Sequence, residues 1–263
     1  MRLNLHETEN RPTAAAPRIN LDILARNLYT ISVFNIRHTR TLMRTVPILA
    51  FLTASLALTI RAHADDLPYL QRKDVVFSEV HGTGLLMDIF TPKGKSNGLA
   101  IVDVVSGAWS SDRNKIRDHT IAQLYNIYCS RGYVVFAARP GSKTRYTALE
   151  MDRHVKLAIR YAKEHAGEFN IDPQSLGLTG ASAGGHLATL AALTPVEAKP
   201  ETKNPLERHD TTVRAVGVFF PPTDFLDWDA GKEPDMKALG PLLFLNGTEG
   251  RSAEEINKAA KAI

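Results

Sequence analysis

A twelve-residue segment in this 263-residue chain, residues 176–187, most constrains how the chain can fold. It reads Leu-Gly-Leu-Thr-Gly-Ala-Ser-Ala-Gly-Gly-His-Leu. The two leucines at its start fit a short buried strand, and the apolar residues from Leu187 to Leu193 predict a helix. Gly180 and Gly184 flank Ser182 by two residues on each side, which permits a very tight turn. The segment therefore predicts a strand, a sharp turn that carries the serine, and a helix.

Ser182 is the candidate nucleophile of such a turn. A serine hydroxyl is a poor nucleophile at neutral pH unless a base accepts its proton, and the sharp turn exposes that hydroxyl. The backbone N–H of Ala183 can donate to a developing oxyanion, and the following helix directs its positive end to the same place. Ser182 and Ala183 are thus predicted as nucleophile and oxyanion-hole donor.

Strands and helices alternate along the rest of the chain. Strands that alternate with helices along a chain form a parallel sheet with right-handed crossovers. We therefore predict an α/β fold with a doubly wound, mostly parallel sheet. A turn at 81–84 joins the first two strands into an antiparallel hairpin at the sheet edge. The predicted strands are 75–80, 85–90, 99–105, 133–138 and 213–220, and the predicted helices are 115–130, 148–169 and 252–263.

A second oxyanion-hole donor is expected after the strand at 99–105. The reaction centre of such a sheet lies at the carboxyl ends of its strands, and this strand runs into Gly107, Ala108 and Trp109. Gly107 and Ala108 are small enough for their backbone to approach a substrate oxygen, and either N–H could act with that of Ala183. Trp109 either walls the substrate pocket or packs beneath the loop.

On these residues the chain resembles the exported esterase-type α/β-hydrolases, and most closely the bifunctional feruloyl and acetyl-xylan esterases near the hormone-sensitive-lipase-like carboxylesterases. The resemblance rests on Gly180–Leu187, on the lead-in Asn170–Pro173 and on the turn Pro222–Asp224, and it covers roughly residues 75–229. It implies hydrolysis of carboxylic esters, either small molecules or acylated polysaccharide, through an acyl-enzyme on Ser182.

The chain departs from that family in two places. Family members usually carry His-Gly-Gly-Gly-Trp in the oxyanion loop, whereas this chain has Val-Ser-Gly-Ala-Trp at 105–109. The triad order of this fold is serine, acid, histidine, and only His186 and His209 follow Ser182. His186 is carried away from the hydroxyl on the helix, and His209 lies in a charged loop at 197–210 that we expect to be solvated. We therefore predict that the acid and histidine of the triad are absent.

The prediction for the body, residues 65–263, is an incomplete hydrolase domain, truncated at its C-terminal side. It would lack the last strands and helix, expose an unpaired sheet edge, and be nearly inactive. Residues 241–249 imitate the strand before the family's acid, with Glu249 near the acid position, but we favour a cap-like connection there. Asp224 is a tempting substitute acid, although a bond to its own turn is the favoured interpretation.

The N-terminal region carries an export signal. A basic start at Met43-Arg44, an apolar run at 46–60 and Ala62-His63-Ala64 predict a signal peptide at 43–64, with cleavage near Ala64 and a periplasmic or extracellular mature protein. Residues 1–42 then come from an over-extended start, or they are a genuine extension. The apolar run is short for a membrane span, so no stable span is expected, with an uncleaved anchor as the alternative.

Charge and cysteine usage narrow the function further. The net charge of +4 comes from residues 1–64, which hold eight of the 32 basic and three of the 28 acidic residues, so the body carries a net charge of −1. Nucleic-acid binding is therefore not expected. Cys129 is the only cysteine, which excludes an intramolecular disulfide and a cysteine metal cluster, and we expect it to be a small buried side chain. No metal, nucleotide or flavin motif is present, so no cofactor is predicted.

Two alternatives to an esterase remain. A prolyl-oligopeptidase-like serine peptidase would share the serine turn, although Ala183 and the short N-terminal region argue against it. A non-catalytic binding protein on a hydrolase scaffold would explain the altered oxyanion loop and the missing base.

Overall fold

A six-stranded mixed sheet forms the centre of the fold. The structure, a computed structural model, describes residues 67–227 and 236–263; the predicted signal peptide at 43–64 and the segment 1–42 lie outside this part. The strand order is β1-β2-β4-β3-β5-β6, antiparallel at the β1–β2 and β2–β4 pairs and parallel elsewhere. This confirms the predicted fold. The strands are β1 (Tyr69–Val80), β2 (Thr83–Pro92), β3 (Ala100–Val104), β4 (Val134–Ala138), β5 (Leu176–Ala181) and β6 (Ala215–Phe219).

Helices follow most of the strands, with two differences from the prediction. The predicted helix at 115–130 is divided at Gln123, whose φ of 63° breaks the helical path, and the helix at 148–169 is interrupted at His165. The helices are α1 (Arg113–Ile121), α2 (Leu124–Ser130), α3 (Ala148–Glu164), α4 (Ala166–Phe169), α5 (Ala183–Leu193), α6 (Met236–Leu243) and α7 (Ala253–Ala260), and Pro205–Arg208 forms a 3₁₀ turn. Among the described residues, none of these helices has both the length and the apolar character needed to cross a bilayer.

The two faces of the sheet bury different sets of side chains. Successive residues of β3 point to opposite faces, and all five are buried, as a nearly continuous apolar strand predicts. Val102 and Val104 pack on the face covered by α3 and α5. The opposite face, covered by α2, buries Cys129, as expected, and this burial raises the pKa of its thiol to about 12.

Two basic side chains of α3, Arg160 and Lys163, tie down the charged loop that precedes β6, and a third, Lys156, bonds the end of α5. Lys156 Nζ donates to Thr194 Oγ1 at 2.8 Å, Arg160 Nε donates to the His209 carbonyl at 2.8 Å, and Lys163 Nζ lies 2.6 Å from Asp210 Oδ1. The imidazole of His209 also bonds Glu164 Oε2 of α3 at 2.7 Å. Most of the loop is exposed, as expected, and His209, whose side chain is 29% exposed, is partly solvated as well as bonded to α3.

The last described strand leaves an open edge. Within the described part of the chain β6 pairs only with β5, and Val216 and Phe219 are nearly half exposed. Residues 241–243 belong to α6, and the segment after them turns without forming a strand, so Glu249 does not follow a strand. The predicted helix near the end of the chain is present as α7, capped by Ser252 and Glu255.

Candidate active site

Ser182 stands in a strained turn between β5 and α5. Its φ of 51° and ψ of −123° lie in a region that costs a non-glycine residue on the order of 1–3 kcal/mol, and such conformations persist only where the surroundings hold them. The Ser182 N–H donates to the Phe219 carbonyl of β6 at 2.9 Å. Its half-buried hydroxyl has no hydrogen-bond partner among the described residues and does not cap α5. The turn therefore presents an unengaged hydroxyl.

The glycines around Ser182 are required by backbone contacts. A Cβ on Gly180 would lie 2.6 Å from the carbonyl carbon of Gly184, and a Cβ on Gly184 would lie 2.1 Å from the Val104 carbonyl oxygen. A Cβ on Gly185 would lie 3.2 Å from the Gly180 carbonyl oxygen. The start of α5 is thus pressed against the ends of β3 and β5: no larger residue fits at Gly180 or Gly184 without a backbone shift, and Gly185 is tightly packed.

The loop after β3 closes into a two-residue turn beside the serine. Gly107 N–H donates to the Ser110 carbonyl at 3.0 Å, and Ser110 N–H returns a bond of 2.9 Å. The Gly107 N–H is therefore engaged. The N–H groups of Ala108 and Ala183 donate to no group that the structure describes, which leaves them as the pair that can bind an oxyanion. The side chain of Lys115 lies against Gly107, where a Cβ would be 2.9 Å from its Cε.

The oxyanion loop and the start of α5 are directly joined. Gly184 N–H donates to the Ser106 carbonyl at 3.1 Å. Ala108 and Trp109 both have left-handed backbones, with φ of 48° and 56°, in a turn where Asn-Gly is the usual pair. Each costs roughly 1–2 kcal/mol, because Cβ crowds the carbonyl oxygen there. Ala108 and Trp109 are therefore both held in backbone conformations that their residue types disfavour.

Trp109 packs beneath the oxyanion loop and also lines the cleft, so its position is compatible with both interpretations of its role. Its ring is 5% exposed and packs beneath the loop against Phe225, with ring centroids 5.8 Å apart, and it also lines the cleft that contains Ser182. Its indole Nε1 donates to His186 Nδ1 at 3.0 Å, and its carbonyl accepts from Lys143 N–H at 2.8 Å.

His186 is a buried neutral acceptor. Burial lowers the pKa of its imidazole to about 4, so the ring is uncharged at neutral pH. Since Nδ1 accepts the indole bond, the ring proton sits on Nε2. That Nε2 has no partner within hydrogen-bond distance in the described part of the chain, although the nearby Ile263 backbone favours the charged form. Because the only unprotonated ring nitrogen, Nδ1, accepts the indole bond, His186 does not serve Ser182 as a base.

An open cleft of about 580 Å³ leads to Ser182. Asp224 Oδ1 accepts from the N–H groups of Leu226 and Asp227 at 2.8 and 3.0 Å, which confirms the bond to its own turn and lowers the pKa of its carboxyl. A groove of similar volume lies at the amino ends of β3 and β5, away from the serine. The cleft is lined by Ala108, Trp109, Ser182, Phe220, Pro221, Pro222, Thr223, Asp224 and Asp227.

The structure contains a buried acid–histidine pair that the sequence did not predict. Asp103 Oδ2 on β3 bonds His119 Nδ1 at 2.7 Å and Tyr125 Oη at 3.0 Å, on the face covered by α2. Burial disfavours the charged ring, but the bond to Asp103 outweighs it and raises the pKa of His119. The pair does not line the Ser182 cleft. No spacing signal could have found it, because the three side chains meet only through packing.

No histidine in the described ranges bonds the Ser182 hydroxyl. Each ring nitrogen bond found there goes to another group, and no cluster of metal-ligating side chains is present in the same ranges. Within the described ranges Ser182 is thus a candidate nucleophile and the N–H groups of Ala183 and Ala108 are candidate oxyanion donors, with no histidine bonded to the serine.

Comparisons with known proteins identify the family of the chain. A family model described as BD-FAE matches residues 87–263. The probable carboxylic ester hydrolase LipM of Mycobacterium tuberculosis is 30% identical over 174 residues, which cover 65% of this chain and 39% of that protein. The chain therefore spans about two fifths of the length of this curated relative.

Two solved structures share the fold. A truncated form of a carbohydrate esterase from gut microbiota superposes with a TM-score of 0.57 at 24% identity, covering 69% of this chain and 68% of that one. An inhibited esterase B from Lactobacillus rhamnosis superposes with a TM-score of 0.50 at 21% identity, covering 74% and 66%.

Proposed function

Since the chain belongs to the BD-FAE family of esterase-type α/β-hydrolases, we propose that it carries the nucleophile and oxyanion hole of a carboxylic ester hydrolase that works through an acyl-enzyme on Ser182. The observation that carries the proposal is the strained turn, which presents an unengaged Ser182 hydroxyl beside the N–H groups of Ala183 and Ala108.

The proposed reaction begins when the Ser182 oxygen attacks the ester carbonyl carbon and its proton passes to a base. The carbonyl oxygen becomes an oxyanion, which the N–H groups of Ala183 and Ala108 stabilise together with the positive end of α5. The alcohol leaves and an ester of Ser182 remains. Water then hydrolyses this ester and regenerates the serine.

The base and the acid of this proposal lie outside residues 67–227 and 236–263. A triad serine without its base loses most of its rate, and the oxyanion hole and substrate binding alone retain a small part of it. We therefore propose that the described residues form an incomplete hydrolase domain with slow turnover, which is also consistent with the open edge of β6.

Esters of small molecules or acylated polysaccharide are the proposed substrates. The shallow, open cleft beside Ser182 admits an ester on a large alcohol, and the family assignment favours the same class. Export by a signal peptide at 43–64, with a true start at Met43, is part of this proposal. N-terminal sequencing of the protein from its native host tests it: a first residue just after Ala64 supports export, and one within 1–42 contradicts it.

The proposal is tested by mixing the full chain with excess p-nitrophenyl acetate and following p-nitrophenol release and intact mass. We expect a stoichiometric burst with one acetyl group on Ser182, followed by slow turnover, because the good leaving group p-nitrophenolate makes acylation less dependent on the missing base than deacylation of the serine ester is. Ser182→Ala abolishes the burst. Ser175→Ala, at the opposite end of β5, is the matched control and retains it.

The same experiment separates the alternatives. Cleavage of a dipeptide amide without reaction of the ester indicates a serine peptidase. Failure of a complete, folded version of the protein to react with a fluorophosphonate would support a binding protein on a hydrolase scaffold.

A further inference from the structure

We propose that Trp109 and His186 are positioning residues that lock the oxyanion loop, so that the Ala108 N–H is held where the oxyanion forms. This inference rests on the proposed function and concerns the same site. Its core is the buried bond of 3.0 Å from the indole Nε1 of Trp109 to His186 Nδ1.

Two backbone bonds tie the oxyanion loop to other elements, from the Gly184 N–H to the Ser106 carbonyl and from the Lys143 N–H to the Trp109 carbonyl. Ala108 and Trp109 both adopt left-handed backbones that their side chains disfavour, and the paired bonds of Gly107 and Ser110 only close the turn on itself. A strained conformation persists where the surroundings over-determine it. The indole of Trp109, a residue that is 5% exposed, adds a side-chain bond to α5 and so contributes to that constraint directly beside Ala108.

The anchor point is on the element that carries the other oxyanion donor. His186 lies on α5, three residues after Ala183, and Trp109 directly follows Ala108. The bond therefore links the two donor N–H groups through rigid backbone at both ends. A donor pair held in place before the reaction stabilises the developing charge without reorganisation.

The environment makes this bond costly to break. His186 is 4% exposed, and its neutral ring offers a single acceptor, Nδ1, to the indole. The ring of Phe225, also buried, lies 4.8 Å from the His186 ring and 5.8 Å from that of Trp109, and it shields the bond from water. If this bond were broken, the buried indole N–H would have neither His186 nor water as an acceptor, which costs the desolvation penalty of an unsatisfied donor.

Two variants at position 186 separate a positioning role from a space-filling one. Asparagine places its Oδ1 where Nδ1 lies, whereas leucine has a similar shape and no acceptor. In the p-nitrophenyl acetate burst, we expect His186→Leu to lower the saturating rate of Ser182 acetylation by about tenfold or more, with half-saturation changed less than about threefold. His186→Asn stays within about threefold of the parent rate.

Trp109→Phe provides the partner test. It keeps a ring against Phe225 and removes the donor, so it should resemble His186→Leu. The double variant of Trp109→Phe and His186→Leu should react no more slowly than Trp109→Phe alone, because both report the loss of one bond. Additive losses would overturn the inference, as would equal losses in His186→Asn and His186→Leu or an effect confined to half-saturation.

A spectroscopic measurement keeps the two proposals distinguishable. The chain has two tryptophans, Trp109 and Trp228, so Trp109→Phe assigns the indole N–H signals in a ¹⁵N spectrum. We expect slow hydrogen exchange of the Trp109 indole in the parent and in His186→Asn, and fast exchange in His186→Leu.

The positioning role of His186 and the proposed function fail under different experimental outcomes. An active parent chain with an unaffected His186→Leu rate overturns the positioning role and leaves the proposed function standing. A parent chain that fails to acetylate overturns the proposed function, and the indole exchange then decides the contact by itself. Hydrogen exchange of the Trp109 indole that is the same in the parent, His186→Asn and His186→Leu overturns the proposed contact.

Discussion

The Gly184 Cα lies so close to the Val104 carbonyl that a Cβ there would be 2.1 Å from the oxygen. We predict that Gly184→Ala lowers the free energy of unfolding by at least about 3 kcal/mol, because the contact is with backbone and neither β3 nor α5 can move aside. Urea denaturation measures the change. Gly167→Ala in α4, where an added Cβ meets nothing within 4 Å, is the matched control and should change stability little. A Gly184→Ala protein as stable as the parent would contradict the packing described for this turn.

His186 makes stability depend on pH. Burial lowers the pKa of its imidazole from 6.5 to about 4, so between these values the unfolded chain binds more protons than the folded one. Stability is therefore highest above pH 6.5 and falls as the pH drops towards 4, by on the order of 3 kcal/mol from this ring. The measurement is urea denaturation across this range, with His186→Asn as the comparison.

The comparison isolates His186 from other histidines. The pKa of His154 is also lowered, chiefly by burial, and acts in the same direction, whereas the raised pKa of His119 acts in the opposite direction. Both are present in His186→Asn, so the stability difference between the two proteins should shrink as the pH falls. A difference that stays constant from pH 7.5 to 4 would show that His186 titrates normally.

The buried ion pair between α3 and the charged loop should matter more than an exposed one. The side chain of Lys163 is 1% exposed and lies 2.6 Å from Asp210, while Lys199, 66% exposed, lies 3.1 Å from Glu207. We predict that Lys163→Met lowers the free energy of unfolding by about 2 kcal/mol and Lys199→Met by less than about 0.5 kcal/mol.

Chemical denaturation at pH 7 measures both losses. Burial opposes the charge of Asp210, but its hydrogen bonds outweigh burial and lower the pKa of this carboxyl to about 2. The contribution of the pair is therefore intact at pH 7 and is lost as the pH falls from about 4 towards 2. Equal losses in the two variants would indicate that the loop is not held by α3.

Cys129 should be inert in the folded protein. Its side chain is 3% exposed on α2, and burial raises the pKa of its thiol to about 12, so very little thiolate exists at pH 8. We predict no reaction with a disulfide reagent such as DTNB until guanidinium unfolds the chain, when its single thiol reacts. Rapid reaction of the native protein would show that α2 opens.

The apolar pattern predicted the strands of the sheet, although β1 begins at Tyr69, six residues before its predicted start at residue 75. β4 is a continuous apolar run and β3 is interrupted only by Asp103, and their observed bounds differ from the prediction by at most one residue at each end, because both faces of each strand are buried. The pattern could not predict where helices break. Gln123 adopts a left-handed backbone, for which glutamine carries no preference, and the apolar period continues across the break.

The sequence predicted the serine turn more completely than the oxyanion loop. The serine turn is local: Gly180, Ser182 and Gly184 lie within five residues, and the tight contacts of the glycines follow from the turn itself. The oxyanion loop left two choices open, Gly107 or Ala108 as donor. The bond of Gly107 to Ser110 now favours Ala108, and this assignment stays a prediction until it is tested.

The chain's own pattern of glycine, serine and apolar residues was enough for the α/β architecture and for the place of Ser182, because both depend on neighbours along the chain. Only the folded structure decided what Trp109 and His186 do. They are 77 residues apart, and their bond exists because β3 and β5 are adjacent in the sheet and bring the oxyanion loop against α5. The same holds for Asp103 and His119, whose partnership depends on packing between elements that no local spacing encodes.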